Sequence, residues 1–204
     1  MRVLYFDCIA GISGDMTLGA LVDAGVDLGD LRAALATLPL EPFELEAEEV
    51  ETHGVGATRV AVRTSMAGII RTYSSIRELI EQGGLSEDAT RTAQRIFLRL
   101  AQAEARVHRK EVEQVTFHEV GAVDSIVDIC GVAVGLDLLG VERVYSSPVP
   151  TGRSGVISFE MWTRPIGPNG KPPSVSIDMC RPKASMWGQV GGRVSRRVNP
   201  QTRL

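Results

Sequence analysis

The opening of the chain places a strand directly before a glycine-bearing turn and a helix. Bulky and β-branched side chains over residues 2–6 predict a buried strand, and the apolar spacing from Met16 to Val26 predicts a helix. In an open α/β sheet, ligands bind beyond the carboxyl ends of the strands, and Asp7 is the first polar residue beyond this one. We therefore expect a ligand site at this strand-to-helix turn.

The turn itself offers two kinds of binding group. Gly11 and Gly14 allow close backbone approach, and Ser13 or Asp15 is expected to cap the helix, whose free N–H groups would face an anion. The segment fits neither the P-loop nor the dinucleotide-binding glycine pattern. Carboxylates for a cation and amides for a phosphate are both available. The alternative is an ordinary capped turn in which Asp7 and Asp15 only accept hydrogen bonds.

The remainder of residues 1–153 alternates between helical and strand patterns. Helices are predicted over Leu28–Leu38, from Ser74 or Ser75 to Gly83, from Ser86 to about Glu113, and over the apolar run that reaches Gly140. Strands are predicted near residues 2–6, 43–51, 58–64 and 142–146. The expected fold class is α/β, a small mixed sheet covered by helices, with parallel neighbours joined by the crossovers.

A second candidate site lies at residues 118–129. The following run, Cys130–Gly140, is apolar on all sides and predicts a buried helix, so the carboxylate of Asp128 is costly unless it is paired, hydrogen-bonded or bound to metal. Asp124 stands one turn earlier and is expected on the same helix face. If the two loops converge, their imidazole and carboxylates suit nickel, manganese or zinc. The candidate ligands are Asp7, Asp15, His118, Glu119, Asp124 and Asp128.

Each of these ligands also has an ordinary structural interpretation. His118 and Glu119 could form a solvated pair at a helix start, Asp124 could be an N-cap, and Asp128 could accept hydrogen bonds from backbone amides. Only convergence of the two loops would favour the metal site. The three widely spaced cysteines indicate neither a disulfide framework nor a thiolate zinc site, which fits a reduced cytoplasm. No apolar run predicts a membrane span.

Residues 154–204 differ from the rest of the chain. They are rich in proline and arginine and contain both tryptophans, whereas leucine and alanine are nearly absent. This composition predicts an irregular tail without a core of its own. We expect out-of-frame translation beginning near Arg153. The alternative is a basic arm that binds nucleic acid, which the absence of a basic repeat disfavours, so no nucleic-acid partner is expected.

Three segments carry a family resemblance: residues 5–16, 71–76 and 117–129. They resemble the LarC family of nickel insertion proteins over residues 1 to about 153. The resemblance implies a lyase of the metal-inserting type that places Ni²⁺ in pyridinium-3,5-bisthiocarboxylic acid mononucleotide, forming the nickel-pincer cofactor of lactate racemase. It also implies consumption of CTP with Mg²⁺ or Mn²⁺. Family members have a histidine-rich stretch before the second segment, whereas residues 65–70 contain no histidine.

The same resemblance implies partners and site residues. A C-terminal CTP-binding half, made separately, would complete the enzyme, and homo-oligomerisation stays open. The six candidate ligands named above and Gly14 are positions of the matched motifs, which do not indicate which of them bind metal. Gly11, Ser13 and Gly14 are the expected nucleotide-binding positions, as the glycine-bearing turn predicts. A nickel or divalent-metal carrier without turnover is the alternative function, and a fragment that folds without activity is a third.

Overall fold

The computed structural model describes residues 1–9, 11–52, 54–65, 69–117 and 120–149. The chain divides into two compact units. One consists of residues 13–141, and the other consists of residues 1–12 together with the described residues from 142 onward. The helices of the described part are α1 (Gly14–Asp23), α2 (Leu28–Leu35), α3 (Tyr73–Gln82), α4 (Glu87–His108) and α5 (Val123–Leu138), with a 3-10 turn at Val112–Gln114. The strands are β1 (Val3–Phe6), β2 (Phe43–Thr52), β3 (Val55–Thr64), β4 (Arg71–Thr72), β5 (Thr116–Phe117) and β6 (Arg143–Ser146).

The α/β class is confirmed, and the strands pair in a simpler way than expected. In the described residues they form three separate two-stranded sheets instead of one mixed sheet. β1 and β6 are parallel, as the crossover argument predicts, with Val3 opposite Arg143. β2 and β3 form a ten-residue antiparallel hairpin, and the short β4 and β5, which the sequence did not indicate, pair antiparallel.

Helix α1 is held between β3 and α5 by glycines at its contacts. A Cβ atom added to Gly19 would overlap the carbonyl oxygen of Thr58 on β3. On α5, Gly131 and Gly135 face Leu18 and Leu21 of α1, and an added Cβ would lie 2.9 Å from a leucine methyl carbon at each position. Because these glycines lack side chains, the elements approach closely and bury both leucines.

We expect the change Gly19→Ala to lower the free energy of unfolding by about 2 kcal/mol, because backbone at β3 must move to admit the methyl group. This outweighs the gain of about 1 kcal/mol that alanine brings to a helix interior. Urea unfolding followed by circular dichroism measures the change. Gly56→Ala on β3 is the control, since its Cβ meets nothing within 4 Å. Equal stability of Gly19→Ala and wild type would contradict the close packing.

The helix ends agree with the sequence at one position and differ at two. Ser86 caps α4 as predicted, because its hydroxyl accepts the N–H of Ala89 at 3.1 Å. The N-cap of α3 is Thr72, which accepts the N–H of Ser75, so the prediction of Ser74 or Ser75 was wrong. Helix α4 ends at His108, since Arg109 adopts a left-handed conformation with φ of 52°.

The charged residues between His108 and Gln114 are exposed, which confirms the prediction of a solvated face. The predicted helix does not continue through residues 109–111, which precede the 3-10 turn. Helix α5 is buried along most of its length, as its apolar sequence predicts. Among the described residues, no helix combines the length and apolar character needed to cross a membrane. The predicted tail, 154–204, lies outside the described residues.

Candidate metal site

The candidate site is built where the first turns of α5 meet the start of α1. Gly14, the first residue of α1, packs directly against Asp128 of α5: a Cβ atom added to Gly14 would lie 2.5 Å from both Cβ and Oδ2 of Asp128. Glycine is therefore required at this position for the two helices to keep their present approach. The close contact brings the Asp128 carboxylate to the N-terminal end of α1.

Asp128 is an unusual carboxylate in this position. It is half-buried, and its Oδ1 atom is buried without a hydrogen-bond partner in the described structure. Burial, together with the negative charges of Asp15 and Asp124, raises the pKa of Asp128 to about 7, and burial is the largest of these causes. A buried oxygen without a donor is destabilising in itself, so a cation at Oδ1 would stabilise the ionised group.

Asp15 and Asp124 surround this carboxylate from the two helices. Both are exposed, and each accepts the N–H of the residue that follows it, Met16 or Ser125, at 2.8 Å. Asp15 also accepts the hydroxyl of Ser13. These bonds use Oδ1 of each carboxylate. Asp15 and Asp124 are close enough to raise the pKa of Asp128, so the three carboxyl groups together attract a cation to this end of α1.

The predicted convergence is therefore present in part. Helix α5 begins at Val123, so Asp124 and Asp128 lie one turn apart on one face, as expected. The N-cap of α5 is Ala122, so the alternative in which Asp124 is the N-cap was wrong. Ser13 is the N-cap residue of α1, but its side chain makes no capping hydrogen bond, because it donates to Asp15 instead.

Of the remaining predicted residues, His118 and Glu119 lie outside the described residues. Asp7 is exposed at the carboxyl end of β1, and Gly11, four residues later, has a φ of 99°. Both residues belong to the unit that contains β1 and β6. The structure thus brings together Gly14, Asp15, Asp124 and Asp128, with Ser13 beside them.

The described donor set is partial. Within the described part of the chain, no group of three or more histidine, cysteine, aspartate or glutamate side chains is arranged to hold a metal ion. Carboxylate oxygens are nevertheless the donors that Mg²⁺ and Mn²⁺ accept, and Ni²⁺ also binds them. The unpartnered Oδ1 of Asp128 is available as one such donor. The residues present therefore fit one side of a divalent ion's coordination shell.

Sulfur ligation is disfavoured at this site. Cys130 lies two residues from Asp128 on α5, and burial raises the pKa of its thiol to about 12. The thiolate is the form that binds metal, so at neutral pH this cysteine is an apolar core residue. Cys8 and Cys130 are both buried. The oxygen-rich character expected from the sequence is retained in the described residues.

Arg71 supports the site and was not assigned a role from the sequence. Its side chain is buried on β4, where Nη1 donates to the carbonyl oxygen of Gly121 at 2.7 Å and Nη2 pairs with Glu41. Gly121 precedes the start of α5 by two residues, so Arg71 fixes the entry to the helix that carries Asp124 and Asp128. The sequence offers one indication of this role, because the arginine lies inside the 71–76 segment. Its spacing in the sequence does not distinguish a buried arginine from one on the surface.

Comparison with known proteins gives the family. The sequence profile described as nickel insertion protein matches residues 4–166, which is most of the chain. This chain belongs to the nickel insertion protein family. The match extends beyond residue 153, where the resemblance in sequence had been expected to end, and it includes every candidate site residue. A search of solved structures finds no match.

Named relatives are consistent with this family. A nickel insertion protein of Geobacter sp. strain M21 is 54% identical over 157 residues, covering 76% of this chain and 41% of the relative. A protein of Acetivibrio thermocellus is 42% identical over 175 residues, covering 81% and 43%, and is named pyridinium-3,5-bisthiocarboxylic acid mononucleotide nickel insertion protein. The chain spans about two fifths of the length of these relatives.

We expect Gly14→Ala to lower the free energy of unfolding by about 1–2 kcal/mol, since the methyl group must displace the Asp128 side chain or the start of α1. In an Asp128→Gly background the same change should be neutral or slightly stabilising, because the Cβ and carboxylate atoms that the methyl group would overlap are both gone and alanine favours helix. A double-mutant cycle measured by urea unfolding tests this coupling. Additive effects of the two changes would contradict the contact.

Proposed function

We propose that this chain supplies the N-terminal part of an enzyme that inserts Ni²⁺ into pyridinium-3,5-bisthiocarboxylic acid mononucleotide, giving the nickel-pincer cofactor of lactate racemase. Family membership and the name of the Acetivibrio thermocellus relative support the substrate. The observation that carries the metal part is the buried, unpartnered Oδ1 of Asp128 beside Asp15 and Asp124.

In this proposal Ni²⁺ is the cargo, and the protein's carboxylates hold it for transfer. Oxygen donors bind Ni²⁺ less firmly than thiolate-type sulfur does, so passage from Asp15, Asp124 and Asp128 to the sulfur atoms of the substrate is favourable. His118, Glu119 and Asp7 are proposed to complete the coordination shell. A site of this kind retains Ni²⁺ from solution and still releases it to a better ligand.

The nucleotide chemistry is proposed to involve the portion of the relatives that this chain does not match. CTP with Mg²⁺ or Mn²⁺ would activate the substrate there, in a cytoplasmic, metal-inserting lyase. Gly11, Ser13 and Gly14 are proposed to contact the substrate's phosphate. At Gly14 the adjacent carboxylates repel an anion unless a cation lies between them, so we propose that nickel and phosphate bind together at this turn.

A nickel or divalent-metal carrier without turnover is the second candidate function. The observation in its favour is the chemistry of the described site, which offers carboxylate donors, while its neighbouring thiol on Cys130 stays protonated. A carrier needs only donors, whereas an enzyme also needs the nucleotide step. The two candidates therefore differ in their requirement for CTP.

The deciding experiment mixes the purified chain with Ni²⁺, the mononucleotide substrate, and CTP with Mg²⁺, with and without the unmatched portion of the Geobacter relative. The product is identified by mass spectrometry. We expect nickel-containing product only when CTP and both protein portions are present, and a strong loss with Asp128→Ala. Asp30→Asn, an exposed carboxylate on α2, is the control variant. Nickel transfer that is equally efficient with and without CTP would favour the carrier. Product formed by this chain without the other portion would overturn the requirement for that portion.

A further inference from the structure

The parallel pair formed by β1 and β6 presents an unusually open face. Its register places Val3 opposite Arg143 and Tyr5 opposite Tyr145. Since side chains alternate along a strand, these four residues share one face of the pair. Val3 is 47% exposed and Tyr5 is 40% exposed, and neighbouring Ile9 in the same unit is 72% exposed.

Parallel sheets are normally covered on both faces, because the connections between parallel strands place helices there. Two strands of four residues each are also fewer than an independently stable sheet requires. Among the described residues, none therefore provides the cover that the topology of β1 and β6 calls for over Val3 and Tyr5. Surface residues that are exposed singly need no such explanation, but two apolar side chains two residues apart on one parallel strand do.

The composition of the face is typical of a protein interface. Tyrosine and arginine are enriched at the centres of interfaces, where the ring or guanidinium buries apolar area and still offers a polar group. Tyr5, Tyr145 and Arg143 provide these groups here, and Val3 adds a purely apolar contact. A nucleotide or metal ligand would instead require convergent polar atoms.

We propose that this face is the docking surface for the part of the nickel insertion proteins that this chain does not match. The relatives are more than twice as long as the matched region, which covers 41–43% of them. The family match ends at residue 166, twenty residues beyond the end of β6, so in a relative the unmatched portion follows this strand closely in sequence. A connection returning to form a further parallel strand lays a helix on one face of the sheet. The partner thus supplies a strand and an apolar helix face over Val3 and Tyr5.

This inference rests on the proposed function for the identity of the partner, and it adds where the partner binds. A second copy of this chain is a poorer occupant, because a two-fold contact would bring two Arg143 guanidinium groups into one small patch. The docking surface consists of Val3, Tyr5, Arg143 and Tyr145, and none of these is a proposed nickel ligand. Binding of the partner and binding of nickel can therefore be tested separately.

The experiment co-expresses the full 204-residue chain with the tagged unmatched portion of the Geobacter relative, without added nickel, CTP or substrate. Complex formation is measured by affinity capture, and the dissociation constant by titration of the purified components. We expect a one-to-one complex, weakened at least tenfold by Val3→Glu and by Tyr5→Glu. Val107→Glu on α4 is the matched control, since Val107 is 75% exposed, and it should bind as wild type.

The contradicting outcomes are specific. Absence of a complex with the wild-type chain, wild-type affinity of both face variants, or an equal loss with Val107→Glu would overturn the proposal. A wild-type dimer that Val3→Glu converts to monomer would assign the face to a second copy instead. Circular dichroism of each variant confirms folding. If docking behaves as expected while no nickel-containing product forms, the docking surface stands and the proposed function fails.

Discussion

Asp128→Asn is expected to raise the free energy of unfolding by about 1–3 kcal/mol at pH 8. The substitution keeps the shape of the side chain and removes a half-buried charge that has like charges beside it. The full shift in pKa corresponds to about 4 kcal/mol at about 1.4 kcal/mol per unit. We expect a smaller gain in the free energy of unfolding, because the side chain is partly exposed and the amide also lacks a hydrogen-bond partner at Oδ1.

The pH dependence follows from the direction of the shift. The pKa of Asp128 is raised from 3.8 to about 7 on folding, so between these values the folded state binds more protons than the unfolded state. Its contribution to stability is therefore complete below about pH 4 and is lost as pH rises to about 7. The wild type should lose stability across this range, and Asp128→Asn should lose less.

Urea unfolding at pH 5, 6, 7 and 8 measures this difference. Asp30→Asn is the matched control, because Asp30 is exposed at the start of α2 and the same substitution there should not increase stability at high pH. The difference between Asp128→Asn and wild type must grow with pH. A constant difference, or one that grows toward low pH, would show that Asp128 is not held in an unfavourable ionised state.

Arg71→Met is expected to lower the free energy of unfolding by about 3 kcal/mol. The change leaves the Glu41 carboxylate without its cation and the carbonyl oxygen of Gly121 without its donor. Removing one partner of a buried ion pair costs several kcal/mol, because the other charge remains desolvated. Glu41 retains 28% exposure of its side chain, which places the expected loss at the low end.

Two further variants separate burial from charge. Glu41→Gln added to Arg71→Met should recover part of the loss, since no unpaired charge then remains. Arg59→Met removes the exposed pair between Arg59 and Glu48, whose side chains are 67% and 63% exposed, and should change the unfolding midpoint little. An equal effect of Arg59→Met and Arg71→Met would contradict the structural role given to Arg71.

The local features of the fold were largely predictable from sequence. Ser86 followed by acidic residues gave the start of α4, and the uncharged run after Asp128 gave the burial of α5. The antiparallel pairing of β2 with β3 follows from two alternating patterns on either side of a short turn, whereas β4 and β5 are two residues long and their pairing depends on tertiary contacts. The N-cap of α3 is Thr72 and not the predicted Ser74 or Ser75, because β4 pairs with β5 up to Thr72 and the helix begins directly after it.

The candidate site was predictable where helix periodicity determined it. Asp124 and Asp128 had to share a face once α5 began at Val123, and Asp15 had to stand at the start of α1. The contact of Gly14 with Asp128 required the packing of two helices, which no local pattern contains. The burial of Arg71 was missed for the same reason, since its partners are 30 and 50 residues away in the sequence.

A nickel site at Asp128 is tested by a calorimetric titration of the full chain with Ni²⁺ at pH 7.5, beside Asp128→Asn and Asp30→Asn. We expect about one bound Ni²⁺ for wild type and for Asp30→Asn, and at least a tenfold loss of affinity for a folded Asp128→Asn. Equal binding by all three proteins, or no binding by wild type, would contradict a nickel site at Asp128.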